Sequence, residues 1–306
     1  MSAFPPLAGV KRTSVSGCRT VAIYEYAPKN ARGRPLNVGP EAVVTMIHAS
    51  VIRRGRAGIV IAAAIVLAAM VQDAAAQGAL PPGFVHLRAI DPTIVQDIRY
   101  AGSDNFVGRP LPGYEAAECI LREDVAAALK RVQADLAASG LSLKVYDCYR
   151  PTRAVRAMAA WVNDGRSEAA TKRFFPKLAK SSLLRAGYIA SRSRHSAGTT
   201  VDLTLMKAAA APAAAFDPTA AYGPCTAPLA QRSPDNAIDM GTSFDCFDVA
   251  SYTASAAIGA EQRRWRRVLV EAMRKQGFAN YDHEWWHFSY ARSAGAPAYD
   301  FPIRSR

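Results

Sequence analysis

Ser193 to Leu205 reads SRHSAGTTVDLTL, and it places His195 and Asp202 seven residues apart with Gly198 between them. Gly198 to Leu205 has the pattern of a strand. Val201, Leu203 and Leu205 share one face, while Asp202 and Thr204 share the other, so Asp202 can point away from the packed side. Far downstream, Glu284-Trp285-Trp286-His287 adds a second imidazole and a second carboxylate. Two His, one Asp and a spare Glu are what a catalytic zinc site needs. Three ligands hold the metal, a fourth position stays open to water, and a base stands beside that water. A lone His is more often a hydrogen-bonded structural residue, and a lone Asp a turn or surface carboxylate. The combination is what points to chemistry.

Working outward, Leu141 to Asp147 alternates Leu141, Leu143 and Val145 with polar neighbours, the pattern of a half-buried strand. It runs into Asp147-Cys148-Tyr149-Arg150-Pro151. Pro151 disfavours helical geometry at Arg150 and suits a first helical position, which puts Arg150 at a strand-to-helix junction. The helix that follows spans about Thr152 to Val162. Arg122 to Ser139 predicts another helix, with Val125, Leu129, Val132 and Leu136 at helical spacing and Gly140 as its C-terminal cap. Ile258 to Gln276 predicts a third, with Trp265, Val268, Leu269 and Met273 as its apolar stripe and Gly277 as its stop. Phe278 to Tyr290 is aromatic-rich and reads as a strand. Residues 84–101 read as short extended segments around Asp91-Pro92. Residues 102–114 and the Ala- and Pro-rich 207–238 read as loops. Residues 164–192 show no clear pattern, and there are no internal repeats.

The chain has 306 residues and a formal net charge of +13. Residues 46–77 have the layout of a secretory signal. Arg53, Arg54 and Arg56 form a basic start, Gly58 to Val71 an apolar run, and Ala74-Ala75-Ala76 a small-residue cleavage pattern. The apolar run falls short of the ~20 residues a membrane span needs, and an uncleaved anchor is the alternative. Residues 1–45 show no periodicity. A translation start at Met46 accounts for them, and a disordered extension is the other reading. Residues 78–306 then suit one domain with a real core. Residues 1–77 hold nine Lys or Arg against three acids, so the remainder keeps +7. Its basic residues are dispersed, with no basic run interleaved with aromatics, which argues against nucleic-acid binding. Cys119, Cys148, Cys225 and Cys246 form no CxxC pair, and an even count behind an export signal favours disulfides. Three connectivities are open; Cys119–Cys148 with Cys225–Cys246 is preferred.

The pattern Ser-x-His with Asp seven residues beyond the His, followed downstream by Glu-x-x-His, resembles the zinc D-alanyl-D-alanine dipeptidases, including the vancomycin-resistance type. DIRYAGSDNFVGRPLPGYE (97–115), the YRP of 149–151, GYIASRSRHSAGTTVDLTL (187–205), MGTSFD (240–245) and EWWHF (284–288) carry the resemblance, which runs from about Asp97 to Phe301. It implies a hedgehog/D,D-peptidase-like α+β domain with a central antiparallel sheet flanked by helices. It implies one Zn(2+) per chain on His195, Asp202 and His287, with Glu284 as general base and Arg150 as oxyanion stabiliser. Asp245 would meet the free ammonium group of a small dipeptide substrate, and Tyr100 and Ser193 would line the pocket. Tyr100 also fits plain core packing. The chain departs from the family in the length of its 207–238 loop, in Cys148 where Gly is more usual, and in its export signal. That signal implies a periplasmic or secreted protein with no lasting membrane insertion, in salvage or wall turnover rather than resistance. The rival within the fold is a D,D- or L,D-carboxypeptidase on longer wall peptides. The rival outside it is a zinc-stabilised binding module, which would need neither Glu284 nor Arg150.

His283 to His287 also matches H-E-x-x-H, the helical zinc signature. No His or Glu follows His287 to complete that class of site. The expectation is therefore a strand, with His283 outside the ligand set. A regular strand puts Glu284 and His287 on opposite faces, so a bulge or sharp twist is expected at Trp285-Trp286.

Overall fold

A computed structural model describes residues 80–166, 169–293 and 295–306. The expected extension over 1–45 and signal over 46–77 lie outside the described residues. The strands are β1 (Phe84–His86), β2 (Val95–Gln96), β3 (Ile120–Arg122), β4 (Leu141–Asp147), β5 (Thr200–Lys207), β6 (Phe278–Tyr281) and β7 (Glu284–Tyr290). The α-helices are α1 (Leu87–Ile90), α2 (Glu123–Ala137), α3 (Thr152–Trp161) and α4 (Ala260–Lys275).

β1 and β3 form a small antiparallel ribbon. The other strands form a five-stranded sheet in the order β2-β4-β5-β7-β6. β4, β5, β7 and β6 are antiparallel neighbours, but β2 runs parallel to β4. The sheet is therefore mixed, where a wholly antiparallel one was expected. The route from β2 to β4 passes through β3 and α2, and such a crossover returns the chain in its original direction, as a hairpin cannot.

α2 forms where the apolar spacing places it, with Val125, Leu129 and Val132 fully buried. Glu123 and Asp124 sit in its first turn, where carboxylates suit the helix dipole. It packs on β4 and α4, and α4 in turn lies on β5 and β6. Leu143 pairs with Leu205 and Val145 with Leu203 across β4 and β5, all four fully buried. The aromatic segment from Phe278 to Tyr290 is a hairpin rather than one strand, turning at Asp282-His283. Within 164–192 lie 3-10 turns at Lys172–Phe174 and Lys180–Ser182, too short to leave a periodic signature. Both preferred disulfides form.

The sheet differs from expectation in burial. β4 reads as half-buried, yet Ser142 to Asp147 are all buried. So is β5 from Thr200 to Met206, including the face that carries Asp202 and Thr204. Part of the cover over β4 is the 208–238 loop. Its Asp235 accepts hydrogen bonds from Lys144 Nζ at 2.5 Å and Tyr146 Oη at 2.7 Å, and lies 2.9 Å from Arg99 Nη2. A lysine and an arginine enter the interior only with such a partner. The polar face of β4 meets a polar cover, and alternation alone cannot distinguish that cover from solvent.

Gly198 closes the turn that leads into β5. Its φ is +69°, and an added Cβ would stand 2.4 Å from a Phe84 ring carbon. Gly198→Ala combines a left-handed backbone with an overlap. It should lower stability by roughly 1–3 kcal/mol or more, read as a fall in the urea unfolding midpoint.

Candidate active site

Two strand irregularities assemble the site. The β4–β5 register pairs Val145 with Leu203 but Asp147 with Asp202, so one extra residue is accommodated at Tyr146. In a regular strand Asp147 would share the face of Val145; the bulge turns it to the face of Asp202. On the other side of β5, Asp202 pairs with His287. Asp147, Asp202 and His287 thus form a row across three strands. The second irregularity lies in the hairpin. Asn280 pairs with Phe288 and Tyr281 with Glu284, so β7 advances four residues while β6 advances one. The expected distortion at Trp285-Trp286 is present, and it brings Glu284 Oε2 within 3.4 Å of His287 Nδ1.

His195 enters from the 3-10 turn Arg194–Ala197, whose N-cap Ser193 accepts a hydrogen bond from the His195 N–H. Its Nδ1 lies 2.7 Å from the Cys148 carbonyl oxygen. A carbonyl can only accept, so Nδ1 carries the proton and Nε2 offers a lone pair. That lone pair lies 3.3 Å from Asp202 Oδ1, which is 3.0 Å from His287 Nδ1. One ligand atom from each of His195, Asp202 and His287 falls within 4.8 Å of the others. Asp202 Oδ1 is buried and has no aligned hydrogen bond despite these neighbours. A buried anionic oxygen left unsatisfied between two imidazoles suits a cation that all three can ligate. Burial alone would raise the Asp202 carboxyl, but positive charge on the His195 and His287 side of it, the place a bound cation would take, outweighs burial and lowers it.

Around this trio stand three further groups. Burial, with the charge of Asp202 adding to it, pushes the Glu284 carboxyl up to about 7 against the pull of His287 and Arg150. Arg150 donates through Nε and Nη2 to Asp147 at 2.8 and 2.7 Å, and its Nη2 lies 3.5 Å from Asp202. Its Nη1 has the Met158 thioether at 3.6 Å, a weak acceptor that a carbonyl or oxyanion would displace. Asp245 is buried and accepts a 2.7 Å hydrogen bond from Tyr100 Oη. Burial, again with Asp202 adding, pushes its carboxyl well above the usual range, although Tyr100 and Arg150 pull it down. Asp245 also has φ +57°, a left-handed conformation that costs a non-glycine residue about 1–3 kcal/mol and clusters at functional sites.

All eight residues singled out from sequence line one cavity of about 260 Å³: Tyr100, Arg150, Ser193, His195, Asp202, Asp245, Glu284 and His287. His283 does not line it. It sits in the hairpin turn with its ring stacked on Tyr252 at 4.2 Å.

The D-ala-D-ala dipeptidase family model matches residues 81–215 and 209–303. The chain belongs to this family. It is 33% identical over 206 residues to a D-alanyl-D-alanine dipeptidase of Enterococcus faecalis, covering 67% of this chain and 90% of that protein. It is 34% identical over 211 residues to one of Streptomyces coelicolor, covering 68% and 91%. An Escherichia coli protein of the same name is 27% identical over 213 residues, covering 70% and 87%. The family is one of metallopeptidases, in keeping with the His195, Asp202 and His287 cluster.

Sequence reasoning missed Asp147 and Tyr114. Asp147 is fully buried, accepts a 2.6 Å hydrogen bond from Tyr114 Oη, binds Arg150, and lies 3.4 Å from His195 Nδ1. It orients the guanidinium and stands beside the imidazole, whose Nδ1–H is taken by the Cys148 carbonyl. The available signal was an acid three residues before Arg150 at the end of a strand. The bulge that turns it inward left no mark in the sequence.

These positions predict metal content. His195→Ala, Asp202→Ala and His287→Ala should each lose most of the bound metal measured by elemental analysis. His283→Ala should retain it. Full occupancy in the first three with loss in the fourth would overturn the assignment.

Proposed function

We propose that this chain hydrolyses the dipeptide D-Ala-D-Ala to two D-Ala, with one zinc ion held by His195, Asp202 and His287. The carrying observation is Asp245, a buried carboxylate at the wall of the cavity those three ligands face. A carboxylate so placed matches a free ammonium group, and an amide in its stead would leave a buried charge unpaired. The names of the family relatives support the same substrate.

Zinc bound there supplies Lewis acidity, which polarises a carbonyl and acidifies water. The protein groups do the rest. Glu284, with its carboxylate 3.4 Å from His287 Nδ1, stands where it can take a proton from water beside the metal and give it up again. It accepts the proton of the attacking water at its carboxylate and delivers it to the departing amine. Arg150 offers Nη1 to the oxygen that becomes negative as the carbonyl carbon turns tetrahedral, and it stays charged at any working pH. Asp147 holds that guanidinium in place. Asp245 fixes the substrate amino terminus, with Tyr100 steadying the carboxylate, and Ser193 sets the turn that presents His195.

Wild type should turn over D-Ala-D-Ala far better than N-acetyl-D-Ala-D-Ala or a wall pentapeptide; a preference for pentapeptide would replace this reading by a carboxypeptidase. Glu284→Gln should cost ~10²–10⁴-fold in kcat with metal retained.

We also infer export to the periplasm or medium. The support is the signal-like 46–77 segment and two disulfides between buried cysteines, which persist in oxidising compartments. Among the described residues no helix is long and apolar enough to cross a membrane. N-terminal sequencing of exported protein should begin at or near Gln77. Residues 1–45 on the mature protein would defeat this.

A further inference from the structure

Asp245 is held in a left-handed backbone conformation, and several of the contacts that hold the chain around it come from the 208–238 loop. Cys225 grips the chain on both sides of it. Its carbonyl oxygen accepts the Ser243 N–H at 2.9 Å, and its sulfur is joined to Cys246. Cys225 is itself tied down, donating its N–H to the Arg173 carbonyl at 2.8 Å. The residue between, Phe244, stacks on Tyr146 with ring centroids 4.7 Å apart and meets Trp286 edge-on at 5.6 Å. Tyr146 is fixed by its hydrogen bond to Asp235, the second loop residue, which Lys144 and Arg99 also hold.

From these contacts we propose that the 208–238 loop positions the substrate's amino terminus: Cys225 and Asp235 clamp Ser243 to Cys246 so that Asp245 presents its carboxylate to the ammonium group. The inference rests on the reading of Asp245 given above. Released from the clamp, Asp245 would relax toward the right-handed or extended regions open to a non-glycine residue. Its carboxylate would then swing away from Tyr100. The proposed metal ligands stand apart from this device. His195 is set by Ser193 and Cys148, and Asp202 and His287 by strand pairing. Loss of the clamp should therefore disturb amino-terminus recognition and leave the metal and base in place. Cys225 and Asp235 are positioning residues, since neither lines the cavity.

The experiment compares wild type, the double variant Cys225→Ser with Cys246→Ser, Asp235→Asn and Tyr146→Phe. It measures kcat and KM for D-Ala-D-Ala, kcat/KM for the N-acetylated dipeptide, metal content and Tm. Each variant should raise KM for the free dipeptide about tenfold or more, as misplacement of a positioned group does, with kcat held within about threefold. The N-acetylated dipeptide and the metal content should not change. In an Asp245→Asn background the same changes should add nothing further, because the group they position is already gone. An unchanged KM in the variants, or equal losses on both substrates, would overturn the proposal. Tyr146→Phe cuts only the hydrogen bond to Asp235 and keeps the disulfide, the ring stack and the Asp235 ion pairs, so its KM for the free dipeptide decides the matter if either of the other variants fails to fold. A wild type without preference for the free dipeptide is a separate outcome: it removes the substrate reading, and this inference with it.

Discussion

Four carboxylates are withdrawn from water, three at one cavity wall and Asp147 behind it, and the arrangement of the site follows from that. Asp147, Asp202 and Asp245 are at most 5% exposed, and the Glu284 side chain 17%. Arg150 pairs with Asp147 and approaches Asp202. An ionised carboxylate in the interior costs several kcal/mol unless an opposite charge meets it. Asp245 and Glu284 respond by holding their protons to higher pH. Such a pocket favours cations, and it has two places for them. One lies between Asp202 and the two imidazoles. The other lies at Asp245 beside Tyr100. In the function proposed here, a metal ion and a substrate ammonium are two answers to one electrostatic imbalance.

That concentration of charge depends on irregular backbone. Regular alternation along β4 would send Asp147 into the apolar layer with Val145, where it could reach neither Arg150 nor His195. Regular alternation along β7 would separate Glu284 from His287. Each bulge moves one carboxylate to the site face and leaves its neighbours in the core. Trp285 and Trp286, at most 2% exposed, fill the interior on the residues the second bulge spans, which anchors the distortion by burial. The sheet is built well away from these points by ordinary pairing of Leu143, Val145, Leu203 and Leu205. The packed layer supplies stability, and the two bulges spend regularity where function needs a side chain re-aimed.

Legibility in the sequence tracks this division. α2, α3, α4 and β4 lie within a few residues of where spacing and caps predict them, because their apolar periodicity is local. All eight site residues also converge on one cavity; the two His, the Asp and the spare Glu were legible as a metal set from residue types, while the roles of Arg150, Asp245, Tyr100 and Ser193 came from a resemblance. What escaped was set at long range. The parallel pairing of β2 rests on two residues, Val95 and Gln96, with no pattern of their own. The burial of Lys144 depends on Asp235, 91 residues later. Asp147 was visible as an acid near Arg150, but its direction is decided by the register of another strand. Polar alternation reports that one face differs from the other. It does not report whether that face meets water, a polar loop or a catalytic cavity.

His283 to His287 shows how a motif can be present in letters and absent in space. The two His of H-E-x-x-H share a side when four residues make about one helical turn. Here the segment is a turn followed by a bulged strand. His283 falls in the hairpin turn, where its ring lies against Tyr252, and His287 falls in the row with Asp202. Glu284 reaches His287 because β7 gains residues against β6, so the same Glu-to-His spacing meets through a different geometry. The second imidazole of the site comes from His195, 92 residues upstream, on a turn that Gly198 closes. What the helical motif obtains from one turn of helix, this fold obtains from a turn, a strand and a bulge. The pairing of β5 with β7 is therefore as much a part of the site as the side chains it brings together.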